Sequence, residues 1–149
     1  MSASQPTHHD AELILKLYEL RREPVMREAR AYFVTLPPSL DNFLAVVANP
    51  TTKENSYVRQ VCGYWEMVAS FVVHGTLNPQ LVFDTCQEMY FVYAKIQPFL
   101  AALREKTGMA DFLVNLQTVV EGSAEGQARV ARLQSRFAAA AKAAAEAVG

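Results

Sequence analysis

Cysteine is nearly missing from this chain: two residues, Cys62 and Cys86, in 149. Two thiols build no disulfide framework, and their separation does not suit a compact zinc motif. Both read as small core residues. Glycine is also scarce, at six residues mostly isolated where helices stop, so no Gly-rich loop offers a cradle for phosphate. Net charge is almost absent, with fourteen basic residues against fifteen acidic ones. Such a chain has no whole-molecule field to draw in nucleic acid or anionic lipid, and neither is expected as a partner. No apolar run approaches the roughly 20 residues that a membrane helix needs. The longest candidate, Val61 to Val73, carries Glu66 in its middle. The opening MSASQPTHHDA lacks the apolar core of a signal peptide, which reads as a cytoplasmic protein.

What is present is helical. Hydrophobic residues make up 51% and charged residues 19%, the balance of one globular domain spanning 1–149. Thr7 or Asp10 can cap a first helix bearing Leu13, Leu17 and Leu20, after a flexible N-terminus over 1–9. Pro24 either opens a new helix or kinks a continuous one. Ser39 or Asp41 can cap a short helix with Phe43, Val46 and Val47 inward.

The polar TTKENS then leads into a long helix, 56–74, with Val58, Val61, Trp65, Val68 and Val72 as its stripe. Asn78 and Pro79 start the next, 79–104, whose seam alternates intervals of four and three: Val82, Cys86, Met89, Tyr93, Ile96, Leu100 and Leu103. Pro98 predicts a modest bend there. A helix over about 110–120 follows, and Ser123 caps an Ala-rich C-terminal helix over 123–149. No segment alternates with period two. The reading is an all-α, single-domain bundle of about six helices built around the antiparallel pair 56–74 and 79–104.

The chemistry-bearing residues are sparse. There is no G-x-S-x-G elbow, and no acid stands three residues before a histidine as a di-metal bundle would want. His8-His9-Asp10 reads as a helix start rather than a ligand set, so no metal or cofactor is expected. Glu66 is the most interesting acid. Counting outward from Leu77 levels it with Glu88, but the flanks differ, which points Glu66 to Gln87, Tyr90 or Arg59. His74 reads as a helix end, where an imidazolium meets the C-terminal dipole. Gly63 leaves room for a close helix contact. Asp84 and Glu88 read as a solvated stripe. Arg21, Arg22, Arg27 and Arg30 alternate with Glu19, Glu23 and Glu28 and read as ion-paired surface. Arg129, Arg132 and Arg136 line one side of the last helix, too few for a nucleic-acid-binding helix.

Three stretches together, LYELRREPVMREARAYF (17–33), YVRQVCGYWEMVASFVVHGTLNPQLVFDTC (57–86) and YFVYAKIQPFLAALRE (90–105), resemble a group of small bacterial helical proteins, with related membrane-anchored versions, classed as domains of unknown function. The resemblance implies an all-helical fold and a bacterial origin, and it carries no activity to a position here. Two readings of function stay open. The first is a non-enzymatic module that works through a protein partner or itself, as a homodimer formed through residues 124–148. The second is a small-molecule-binding or enzymatic bundle with a pocket lined by Tyr64, Trp65, Glu66, Tyr90 and Tyr93.

Overall fold

The first helix starts where a threonine and an aspartate can exchange hydrogen bonds. In the computed structural model, which describes residues 4–149, Thr7 caps α1 (His8–Arg21) and its N–H donates back to Asp10 Oδ2 at 2.7 Å. The expected flexible segment 1–9 thus includes the start of a helix, and its residues 1–3 lie outside the described residues. The second Asp10 oxygen accepts from the backbone N–H of Asn78 at 2.8 Å. These amides hold the Asp10 carboxyl below its ordinary range, the Thr7 N–H first.

Pro24 opens a new helix, α2 (Pro24–Thr35), as its fixed φ and missing N–H allow at a first turn. Ser39 caps α3 (Leu40–Val47), with Phe43 buried and Val46 and Val47 partly so. Thr52 caps α4 (Lys53–Val73), three residues ahead of the expected start, and Gly75 at φ 74° ends it.

The expected helix over 79–104 is not one helix. It divides into α5 (Pro79–Thr85), α6 (Gln87–Ile96), a 3-10 turn (Gln97–Phe99) and α7 (Leu100–Thr107). All seven seam residues are nevertheless buried, because each segment keeps its apolar face toward one core. The break at Cys86 (φ −108°, ψ 61°) has no glycine or proline to announce it. Pro98 produces the 3-10 turn instead of a modest bend. It has no N–H to give to the carbonyl of Ala94, and that carbonyl accepts instead from Gln134 Nε2 at 3.2 Å.

The helix expected over 110–120 starts late, as α8 (Val114–Glu121), behind Leu113, whose φ of 59° is left-handed. Ser123 caps α9 (Ala124–Val148). Here Gly126 is required. A Cβ would lie 2.3 Å from the Val120 carbonyl oxygen, so only glycine lets α9 cross α8 this closely.

The all-α, single-domain architecture is as expected, and no strand occurs among the described residues. The central frame differs. Helix α4 packs most closely against α2 and α8, and α6 against α9, so the antiparallel pair is replaced by a longer chain of neighbours. Trp65, Tyr93, Phe33 and Phe43 are the largest side chains wholly inside.

Candidate functional site

The five residues expected to line one pocket go to different places. Glu66 meets none of Gln87, Tyr90 and Arg59. Its Oε1 accepts from the backbone N–H and side-chain amide of Asn115, at 2.9 and 2.8 Å, and its Oε2 from the Leu116 N–H at 2.9 Å. Those amides belong to the first turn of α8. Leu113 sits at the cap position with no side chain able to satisfy them, so α4 supplies the cap from outside, where a negative charge also complements the helix dipole. Arg59 is engaged one turn earlier, its Nε donating to Asn55 Oδ1 at 2.7 Å.

Tyr64 donates its hydroxyl to the Leu17 carbonyl of α1. Trp65 is edge-on to Tyr64 and gives its indole N–H to Glu88 at 3.3 Å. Tyr90 packs on Phe83 beneath Arg129, and Tyr93 donates to Glu121 of α8. Burial raises all three tyrosine pKa values, that of Tyr90 to about 12. His74 is the exposed C-cap residue of α4. Asp84 accepts from Gln80.

Glu88 is no solvated stripe. It accepts from Arg30 Nε at 2.9 Å and Nη2 at 2.6 Å, from Arg21 at 3.1 Å, and from Trp65. Burial alone would push its carboxyl up. The Arg30 hydrogen bond and the charges of Arg21 and Arg30 outweigh that, so its pKa lies below the ordinary 4.5. Arg21 and Arg30 therefore do not pair with the glutamates beside them in sequence; the guanidinium of Arg21 lies against Tyr18 and Trp65.

A buried charge of opposite sign mirrors the partly buried Glu66. Lys95 is 3% exposed, and its ammonium donates to the carbonyls of Phe33, Val34 and Leu36 at 2.7, 3.0 and 2.7 Å. Those three donations exhaust the ammonium hydrogens and close the C-terminal end of α2. Burial draws its pKa down to about 8.

Beside these committed charges lies a cleft of about 500 Å³ between α2, α6 and α9. Phe33, Val34, Phe91 and Leu133 give it an apolar wall, and Arg30, Arg129, Arg132 and Arg136 give it cations. Arg129 lies 3.6 Å above the Phe83 ring and donates to the Phe83 carbonyl at 2.7 Å. Arg132 and Arg136 are exposed, and among the described residues neither has an acid within 4.0 Å. The lone carboxylate at the cleft, Glu88, is already shared by two arginines. The arginine spacing along α9 was visible in sequence. Its position opposite Arg30 was not, because that depends on how α6 and α9 pack.

Among the described residues no three His, Cys, Asp or Glu side chains come together as a metal-holding group. No described helix is long and apolar enough to cross a membrane. The two thiols are buried, and burial raises both pKa values, that of Cys62 to about 12.

The class of protein is thus an all-α single-domain bundle in which charges from other helices close helix ends and one cleft is rimmed by arginines. The sequence pattern of the family described as Domain of unknown function (DUF4760) matches residues 6–123, and the chain belongs to that family. No curated protein and no solved structure matches it. The match ends just before α9, the helix that brings three of the four cleft arginines.

Proposed function

We propose that the protein is a binding module whose cleft between α2, α6 and α9 holds a small anionic ligand with an apolar body. The carrying observation is that Arg132 and Arg136 border an aromatic and aliphatic wall and, among the described residues, have no acid within 4.0 Å. A pocket of several hundred Å³ with apolar walls and a few convergent charges is the usual form of a small-molecule site. Arginine recognises carboxylate, sulfonate and phosphate alike through its planar fork of donors.

The test uses an aromatic sulfonate, anilinonaphthalene sulfonate, titrated against the full chain by fluorescence. Saturable binding to the folded protein is expected, with affinity lowered about tenfold in the Arg132→Gln/Arg136→Gln double variant. Equal affinity in the double variant would overturn the proposal.

One observation favours a second reading, self-association. Residues 138–148 of α9 are exposed, eight of the first ten being alanine. A helix this small in section lets a second copy approach closely, and the stripe of Val130, Leu133 and Phe137 that docks α9 on its own bundle runs on into it. Light scattering decides this: a dimer that becomes monomeric on truncation after Phe137 supports it, and a monomer at high concentration excludes it.

A further inference from the structure

Gly63 sits in the middle of α4, a 21-residue helix, where glycine is about 1 kcal/mol worse than alanine. No packing contact calls for it. A Cβ built there would meet no heavy atom within 4 Å, whereas at Gly126 it would collide with backbone. The close helix contact expected at Gly63 is therefore absent. The residue borders a cleft of about 480 Å³ between α3, α4 and α7, walled by Phe43, Val58, Cys62, Leu103 and Phe112. Arg59, one turn before Gly63, lines the same cleft and is exposed. Only its Nε is engaged, with Asn55, and no acid lies within 4.0 Å among the described residues. Asn55 is fully occupied, since its amide N–H groups go to the Val46 and Val47 carbonyls. The walls thus offer carbon, and the mouth offers one guanidinium with two free nitrogens.

From these features we infer that the α3–α4–α7 cleft is a binding site for a medium-chain acyl carboxylate, its chain lying over Gly63 and its head group on Arg59. The absence of a side chain at position 63 keeps the floor open for the chain, and Arg59 supplies the matching charge. The Cys62 thiol in the wall stays neutral, its pKa raised by burial to about 12. The site shares no residue with the arginine-rimmed cleft, so the two proposals stand or fall separately.

Dodecanoate, titrated calorimetrically into the full chain, is the probe. The wild type is expected to bind it saturably. Gly63→Leu should lower affinity at this site at least tenfold by filling the floor, and Arg59→Gln about fivefold, while Arg132→Gln/Arg136→Gln, which removes any second event at the arginine-rimmed cleft, leaves this event unchanged. Should Gly63→Leu fail to fold, Gly63→Ala serves. It should melt at or above the wild-type temperature, because the space is open, and still bind several-fold more weakly. Absence of dodecanoate binding, unchanged affinity in the Gly63 variants, or loss confined to the α9 arginine variant would each overturn the assignment. So would a lowered melting temperature in Gly63→Ala, which would show that the fold itself needs the glycine.

Discussion

Around the start of α8 and the end of α2, charged side chains meet backbone; along the outer side of α9, they meet solvent. Glu66 and Lys95 each face the end of a helix from another part of the chain, acid toward amides and ammonium toward carbonyls. Both agree in sign with the helix dipole they approach. Arg132 and Arg136 carry the same unit charge and pair with no acid among the described residues. The difference separates charges that hold the fold from charges free to recognise something else.

Four substitutions or conditions would break or sharpen that comparison. The largest effect is expected at Lys95. Replacing it with Met leaves three carbonyls at the end of α2 without their donor, and urea denaturation should show a loss of roughly 3 kcal/mol. Glu66→Ala comes next, at about 1–2 kcal/mol, the usual effect of losing a helix cap. Hydrogen exchange in that variant should quicken first at Asn115 and Leu116, and uniform quickening would contradict a local cap.

Third is the acid limb. Because the folded Glu88 pKa lies below 4.5, the unfolded chain binds more protons just below that pH. The contribution of Glu88 is therefore complete above about 4.5 and falls as pH drops through the folded value. Urea midpoints measured from pH 6 downward should show a shallower loss in Glu88→Gln than in wild type. Smallest of all, Arg132→Gln and Arg136→Gln should each change stability by less than about 0.5 kcal/mol. A larger loss would place these arginines with the structural charges and erase the contrast.

Much of the fold could be read before any coordinates. Thr7, Pro24, Ser39, Asn78 and Ser123 mark helix starts through local hydrogen bonds and fixed dihedrals, and such short-range chemistry is written in neighbouring residues. The seam from Val82 to Leu103 was equally legible as periodicity. The breaks along it were not, since periodicity reports which face is buried and is silent on whether the backbone runs straight. That error propagated. Reading 79–104 as one helix placed Gln87 and Tyr90 beside Glu66, whereas the true partners lie in α8, whose left-handed Leu113 no propensity rule anticipates. The five proposed pocket residues come from two short stretches on two helices, α4 and α6, yet point toward α1, α6, α8 and α9. The arginine-rimmed cleft was missed for the same reason. It is assembled from three separated parts of the chain, α2, α6 and α9, and nothing local links Arg30 to Arg136.

Gln134 bound to the carbonyl that Pro98 leaves open works like an index pin on a sliding scale. Helix α9 rests on α6 through apolar contacts, which carry little direction of their own, and the amide over Ala94 adds a directional contact to those that Gly126 makes under Val120 and Arg129 makes on the Phe83 carbonyl. A slip of one turn would carry Arg132 and Arg136 about 5.4 Å along the cleft. A proline that looks like a flaw in one helix thereby helps to set the calibration of another, and with it the distance from the α9 arginines to Arg30.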